Sequence, residues 1–171
     1  MVSLVIGGAA SGKSAFAEDL ILAAPSRPLV YAATMEPWGE EAQKRIARHR
    51  ALRAGKGFVT FEAPRAANLL EIPEGGAVLL ECLTTLTANE CFSVGFDGAE
   101  KRLLAGVEAL LRRCGDAVLV SGDLFADGYT YPPETERYLS VLAAVNGELA
   151  AQSDRVIEVC CSIPIFHKGE A

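Results

Sequence analysis

The chain has 171 residues, of which 50% are hydrophobic and 22% are charged. This composition suits one globular domain with a real core, and it excludes disorder and collagen-like repeats. Sixteen basic against 22 acidic residues give a net charge of −6, which argues against sequence-independent binding to nucleic acid or to an anionic membrane. The sequence contains no run of 18 uncharged apolar residues, so it predicts no membrane-spanning helix.

The N-terminal residues and the cysteines both favour a cytoplasmic location. The first residues lack the basic region and the long apolar core of a signal peptide. The five cysteines are an odd number and include no Cys-x-x-Cys pair. They stand mostly in apolar runs, so we interpret them as reduced, buried thiols rather than as disulfides or metal ligands.

Short apolar runs of strand length recur along the chain. Because most are continuous rather than alternating, they are typical of strands covered on both faces of a parallel sheet. The predicted strands are Val2–Ile6, Leu29–Ala33, Phe58–Phe61, Ala77–Leu80, Ala117–Val120 and Val156–Cys160. We expect the tail Ile163–His167, which contains a proline, to add one antiparallel edge strand at the C-terminal end of the chain.

Helical patterns lie between these strands. The first, Ser14–Ala24, is stopped by a proline. The second, Asp97–Cys114, is predicted to begin with a capping aspartate, and the third, Pro133–Ala151, begins at a pair of prolines. Strand–helix alternation predicts a single α/β domain over residues 1–171, with a mostly parallel sheet flanked by helices.

The most specific local motif is a glycine-rich turn between the first strand and the first helix. Residues 7–14 read GGAASGKS and fit the pattern G-x-x-x-x-G-K-[ST]. The glycines let backbone N–H groups point inward as an anion nest, and the helix N-terminus adds positive potential. Lys13 can then reach the β- and γ-phosphates of ATP or GTP, and the hydroxyl of Ser14 can bind Mg²⁺. The pattern predicts a P-loop NTPase-like domain, with a phosphate site formed by Gly7, Gly8, Ala9, Ala10, Ser11, Gly12, Lys13 and Ser14.

Two carboxylates follow predicted strands and are candidates to hold the metal. Glu81 ends the apolar strand 77–80, and Asp123 comes shortly after the strand 117–120. Ligands of open α/β sheets lie at the carboxyl ends of the strands, so both residues are suitably placed. A solvated loop acid remains the alternative for each of them.

A basic stretch with a central histidine is the second informative feature. Six of the 16 basic residues fall between positions 44 and 56, and His49 is one of only two histidines. On a helix, Ile46, His49 and Arg53 share a face. Surrounding cations disfavour a charged imidazole, and a neutral ring beside them is a suitable nucleophile toward phosphorus. The alternative is an amphipathic helix with a solvated basic face and an incidental histidine. The other histidine, His167, is interpreted as structural.

Four segments together resemble one known family. They are the loop 7–14, the stretch 31–35 (YAATM), the stretch 45–50 (RIARHR), and the stretch 79–85 (LLECLTT) followed by Asn89. Residues 142–149 and the strand after them are similar to the last helix and strand of that family. The chain thus resembles the bifunctional adenosylcobinamide kinase/adenosylcobinamide-phosphate guanylyltransferase family of cobalamin biosynthesis.

The resemblance implies two activities and a set of site residues. One activity phosphorylates the aminopropanol hydroxyl of adenosylcobinamide with ATP or GTP. The other transfers GMP from GTP, through a guanylylated His49, to give adenosylcobinamide-GDP. The resemblance also implies a homotrimer. Beyond the phosphate loop, the implied nucleotide-binding residues are Ala33, Thr34, Met35, Arg50, Ala51, Leu52, Arg53, Glu62 and Glu81, with Ser14 and Glu81 as ligands of Mg²⁺ and Lys13 and His49 as catalytic residues.

The resemblance is weakest at residues 121–132, where the family usually reads Asn-Glu-Val-Gly and then Gly-x-Val-Pro. Here the chain reads SGDLFADGYTYP, and Asp123 stands near the position of the family's glutamate. Two alternatives therefore stay open. One is a P-loop small-molecule kinase without guanylyl transfer, and the other is a catalytically altered GTP-binding homologue.

Overall fold

The computed structural model describes residues 1–37, 39–125 and 128–170, without the side chains of Glu41, Arg45, His49 and Leu52. The strands are β1 (Val2–Gly7), β2 (Leu29–Ala33), β3 (Phe58–Glu62), β4 (Ala77–Glu81), β5 (Asp116–Gly122), β6 (Arg155–Cys160) and β7 (Ile163–Lys168). The α-helices are α1 (Lys13–Leu22), α2 (Gly39–Arg53), α3 (Leu83–Asn89), α4 (Ala99–Leu111) and α5 (Pro133–Gln152). A 3₁₀ helix spans Ala66–Glu71, and a turn of π-helix spans Glu90–Val94.

Within the described residues, the strands form one seven-stranded sheet in the order β3-β2-β4-β5-β1-β6-β7. The pairs from β3 to β6 are parallel, and β7 pairs antiparallel with β6 at one edge. The predicted α/β class, the mostly parallel sheet and the antiparallel edge strand are therefore confirmed. Among the described helices, none combines the length and the apolar character needed to cross a membrane.

The core lies on both faces of the sheet, because successive side chains of a strand point to opposite faces. In β1, Leu4 packs into the cluster that contains residues of α3, α4 and α5. Its neighbour Val5 packs into the opposite cluster, against Ala17 and Ile21 of α1. Every residue of the central strand β5 is buried. This two-sided burial explains why these strands read as continuous apolar runs.

The register of the parallel strands brings distant acids to one edge of the sheet. Ala33, the last residue of β2, pairs with Glu62 at the end of β3 and with Glu81 at the end of β4. On the other side, Gly7 at the end of β1 pairs with Gly122 at the end of β5. The phosphate loop and the acids thus share the carboxyl edge, as expected for a ligand site in an open sheet.

Several local predictions are wrong. Asp97 does not cap a helix, because α4 begins at Ala99 after Gly98, whose φ of +72° is left-handed. The helices α1 and α4 also end earlier than predicted, at Leu22 and Leu111.

The cysteines are unpaired but are not uniformly buried. All five are free thiols, as expected. Cys91 is buried, whereas Cys82 and Cys114 are half-buried and Cys160 and Cys161 are exposed. The last two end β6 and begin the turn to β7, where an edge hairpin leaves side chains in solvent. The prediction of buried thiols is therefore wrong for this pair.

Candidate active site

The phosphate loop runs from the end of β1 into α1, as the motif predicts. Gly7 ends β1 and Lys13 begins α1. Between them, Ala10 and Gly12 take the left-handed conformation, with φ values of +56° and +92°. Ser11 N–H donates to the carbonyl of Gly8 at 3.3 Å. The Nζ of Lys13 donates to the same carbonyl at 3.0 Å, so the lysine lies folded over its own loop.

At two positions of this loop, neighbouring atoms leave no room for a side chain larger than that of glycine. A Cβ on Gly7 would lie 2.6 Å from the carbonyl oxygen of Val159, and a Cβ on Gly12 would lie 2.5 Å from Oγ of Ser162. Ser162 N–H also donates to the carbonyl of Ser11 at 2.8 Å. The β6–β7 turn therefore supports the back of the phosphate loop, and side chains at these glycines would separate the two.

A cavity at the carboxyl ends of β2, β3 and β4 collects most of the other predicted residues. Its wall is closed on one side by α2. The predicted residues that line it are Ala33, Thr34, Met35, Arg50, Arg53, Glu62 and Glu81. Ala51 is exposed on α2 and does not line it. His49 belongs to α2, but its side chain and that of Leu52 lie outside the part of the structure that is described.

A second opening shares wall residues with this cavity and reaches Ser14 of the phosphate loop, and we call it the Ser14 opening. It is lined by Ser14, Ala15, Glu18, Asp19, Arg53, Lys56 and Glu81. Arg53 and Glu81 therefore line both spaces. Lys56 pairs with Glu18 in its wall. A ligand that occupied both spaces would lie beside Arg53 and Glu81.

The basic helix α2 does not present a uniformly solvated basic face. Arg53 is only 8% exposed, although the alternative interpretation of the sequence places it in solvent. Its Nε has no hydrogen-bond partner among the described residues. Arg50 is exposed and pairs with Glu62 at 2.9 Å, and Arg48 is exposed. A buried guanidinium with an unused donor is suited to an anionic or polar ligand.

Thr34 lies at the edge of the cavity, and its N–H, carbonyl and hydroxyl groups all form hydrogen bonds. Its N–H donates to the carbonyl of Glu81 at 3.3 Å, and its carbonyl accepts from the amide of Asn89 at 2.8 Å. Its hydroxyl lies 3.0 Å from the carbonyl oxygen of Glu81 and accepts from Cys82 N–H at 2.7 Å. The threonine and asparagine of the family motifs thus hold β2 and β4 in place.

Other predicted residues lie farther from the cavity. Asp123 directly follows β5, and its N–H donates to the carbonyl of Gly7 at 3.0 Å, so it is next to the phosphate loop while its side chain is exposed. Nε2 of His167 lies 2.9 Å from Oε2 of Glu158, on exposed side chains of the β6–β7 edge. This contact agrees with a structural interpretation of His167.

The cavity also contains residues that the sequence does not single out. Tyr31 and Thr60 line it from β2 and β3. The sequence marks Tyr31 only as part of the stretch 31–35 and as a hydroxyl inside an otherwise apolar strand, and its contact with Glu81 depends on pairing between strands 50 residues apart.

A parallel sheet whose first strand leads through a glycine-rich loop and a lysine into a helix defines the class of P-loop nucleotide-binding proteins. Solved structures share this fold. The flagellar accessory protein FlaH of Methanocaldococcus jannaschii matches with a TM-score of 0.51 and 11% identity, over 99% of this chain and 78% of its own. A KaiC-like protein of Pyrococcus horikoshii also matches with a TM-score of 0.51, at 12% identity, over 92% of this chain and 71% of its own.

The chain belongs to the cobinamide kinase / cobinamide phosphate guanyltransferase family, whose model matches residues 3–166. The bifunctional adenosylcobalamin biosynthesis protein CobU of Salmonella typhimurium is 30% identical over 184 residues, covering 96% of this chain and 98% of the relative. The corresponding protein CobP of Pseudomonas aeruginosa is 32% identical over 176 residues, covering 99% of each. The resemblance noted from the motifs is therefore confirmed, and the chain is a transferase of cobalamin biosynthesis.

Proposed function

We propose that this protein phosphorylates adenosylcobinamide with ATP or GTP and then attaches GMP from GTP to the product, giving adenosylcobinamide-GDP. Family membership and the printed names of the relatives support both steps. The observation that carries the proposal is a pair of spaces at the carboxyl edge that share two wall residues. Arg53 and Glu81 line both the cavity beside α2 and the opening that contains Ser14 of the phosphate loop.

We further propose His49 as the residue that carries GMP. Ile46, Arg50 and Arg53 of α2 line the cavity at the carboxyl ends of β2, β3 and β4. Position 49 is three residues after Ile46 and four before Arg53, which is the spacing of neighbours along one face of a helix. This spacing supports a histidine beside the nucleotide.

The proposed chemistry divides the nucleotidyl transfer into two displacements. A neutral imidazole nitrogen of His49 attacks the α-phosphorus of GTP, the bond to the β-phosphate oxygen breaks, and pyrophosphate leaves. A phosphate oxygen of adenosylcobinamide phosphate then attacks the same phosphorus and releases His49. In the kinase step, the aminopropanol hydroxyl attacks the γ-phosphorus and the nucleoside diphosphate leaves. Lys13 and Arg53 would neutralise the charge on the transferring groups.

Mg²⁺ fits the residues present around the Ser14 opening. A hydroxyl and a carboxylate, those of Ser14 and Glu81, line the same space. Among the described residues, no cluster of three or more histidine, cysteine or acidic side chains could hold a metal alone. That scarcity suits Mg²⁺, which takes one or two protein oxygens together with phosphates and water. Bound there by Ser14 and Glu81, it would supply positive charge to the phosphates.

The segment 121–132 is the proposed side of approach for the acceptor. It leaves the sheet next to the phosphate loop, where Asp123 N–H contacts Gly7. Its described part exposes large apolar side chains, among them Phe125 at 45% and Tyr129 at 76%. Such side chains suit a broad corrinoid ring better than a small metabolite. This support does not depend on the family's usual sequence in the segment, from which the chain departs.

The decisive test is covalent labelling with GTP that carries radioactive phosphorus at the α position. The purified protein with Mg²⁺ is expected to retain an acid-labile, alkali-stable label after denaturation, as a phosphoramidate would. His49→Ala is expected to abolish the label. His167→Ala is the matched control, since it removes the other histidine from an exposed edge pair, and it is expected to label normally.

The outcomes distinguish the alternatives. Labelling that persists in His49→Ala would contradict the assignment of His49. No label, but phosphorylation of adenosylcobinamide by γ-labelled nucleotide, would indicate a kinase without guanylyl transfer. Nucleotide binding with neither transfer would indicate a catalytically altered homologue.

A homotrimer and a cytoplasmic location are also proposals. The homotrimer rests on the family resemblance, and the location rests on the cysteine content. Light scattering of the purified protein tests whether it is a trimer.

A further inference from the structure

Tyr31 contacts both Arg53 and Glu81, the residues that line both spaces, and neither the motifs nor the family resemblance gives it a role. It is 4% exposed in the middle of β2. Its hydroxyl lies 3.0 Å from Oε2 of Glu81. The hydroxyl donates this hydrogen bond to the carboxylate.

The ring of the same tyrosine holds a cation. The guanidinium carbon of Arg53 lies 3.3 Å from the ring centroid, which is the geometry of a cation–π contact. Phe58 meets the Tyr31 ring edge-on, with centroids 6.4 Å apart and an interplanar angle of 81°. The uncharged ring of Phe58 thus packs against the Tyr31 ring. Arg53 stacks on the Tyr31 ring, and its Nε has no hydrogen-bond partner among the described residues.

These two contacts act on the two residues that line both spaces. The hydroxyl engages one oxygen of Glu81, and no partner is described for the other, Oε1. A carboxylate that binds a cation with one oxygen is commonly held in place by a hydrogen bond to its other atoms. An arginine stacked on an aromatic ring keeps its N–H groups free for a ligand in the plane of the guanidinium.

We propose, on the basis of the function proposed above, that Tyr31 is a positioning residue that separately orients Glu81 toward the divalent cation and Arg53 toward the nucleotide. Its hydroxyl serves the first purpose and its ring serves the second. An ordinary core tyrosine would contribute only to stability. The two purposes can be separated because phenylalanine keeps the ring and removes only the hydroxyl.

The experiment measures the Kd of the full-length protein for GTP in excess EDTA and again in saturating MgCl₂. The ratio of the two values is the Mg²⁺ enhancement. Tyr31→Phe is expected to leave the Kd in EDTA within about twofold of wild type and to lower the Mg²⁺ enhancement by about 10-fold, as loss of a partner of a metal ligand typically does. Tyr31→Leu removes the ring as well, and is expected also to raise the Kd in EDTA.

The matched control is Tyr138→Phe. Tyr138 is 8% exposed, and its hydroxyl donates to the carbonyl of Thr84 at 3.2 Å rather than to Glu81. This variant loses a comparable buried hydrogen bond, so its melting temperature is expected to fall about as much as that of Tyr31→Phe. Its Mg²⁺ enhancement is expected to equal that of wild type.

Glu81→Asp supplies a second variant that does not depend on the folding of Tyr31→Phe. It keeps the charge but withdraws the carboxylate from the hydroxyl, and is expected to lose the enhancement in the same way. A wild-type Mg²⁺ enhancement in Tyr31→Phe or in Glu81→Asp would overturn the inference. Equal losses of the Mg²⁺ enhancement in Tyr31→Phe and Tyr138→Phe would also overturn it. Failure of the proposed function appears elsewhere, as absence of the covalent label in wild type.

Discussion

The phosphate loop and the cavity beside α2 differ in how they are built. The loop is local: residues 7–14 are consecutive, and the phosphate contacts proposed for it come from backbone N–H groups and one lysine. The cavity is lined by residues from β2, β3, β4 and α2, which are brought together by strand register and by the burial of Arg53. A local site depends on backbone geometry, whereas an assembled site depends on side chains that support one another.

The largest expected effect is on the local site. Lys13→Ala removes the cation that we propose neutralises the phosphates, and both phosphoryl and guanylyl transfer are expected to fall about 10²–10³-fold. The fold is expected to persist, because Lys13 donates only to the carbonyl of Gly8 within the described residues. Steady-state rates together with a melting curve check this. A loss of transfer that matches a loss of folded protein would contradict a direct role.

The next comparison is between two glycines of the loop. Gly12→Ala places a Cβ 2.5 Å from Oγ of Ser162 at a φ of +92°, so we expect it to destabilise the protein by about 1–3 kcal/mol and to weaken nucleotide binding. Gly8→Ala meets nothing within 4 Å and is expected to fold normally. Urea denaturation of both variants measures the difference. Equal stabilities would show that the β6–β7 turn does not constrain the loop.

The smallest effect on stability is expected in the assembled cavity. Glu62 and Arg50 form a pair whose side chains are 49% and 62% exposed, and such pairs contribute about 0–1 kcal/mol. Glu62→Gln is therefore expected to leave the free energy of unfolding nearly unchanged, while the Kd for GTP rises if Glu62 contacts the nucleotide. Isothermal calorimetry beside a urea titration separates the two quantities. A large loss of stability would assign Glu62 a structural role instead.

Residues of the two regions differ in how far the sequence reveals them. The loop 7–14 and the acid at the end of β4 follow from a motif and an apolar run, and the structure has Gly7 ending β1 and Glu81 ending β4. The wrong assignment of Asp97 as a helix cap followed from the preference for aspartate at the N-cap position. In the structure the N-cap of α4 is Gly98, which has a left-handed conformation. Cys160 and Cys161 look buried because β6 is apolar, but a sheet edge and a turn leave them exposed.

The sequence alone determined the α/β class, the phosphate loop and the basic helix with His49. Hydrophobic periodicity, the placement of glycines and the clustering of charges are all patterns within short segments of the chain, so they can be read without the tertiary structure. Only the tertiary structure decided that Arg53 is buried on the ring of Tyr31 and that Tyr31 bonds Glu81. Those contacts join segments about 20 and 50 residues apart along the chain. They arise from the parallel register of β2 and β4 and the packing of α2, which no single stretch of the chain encodes.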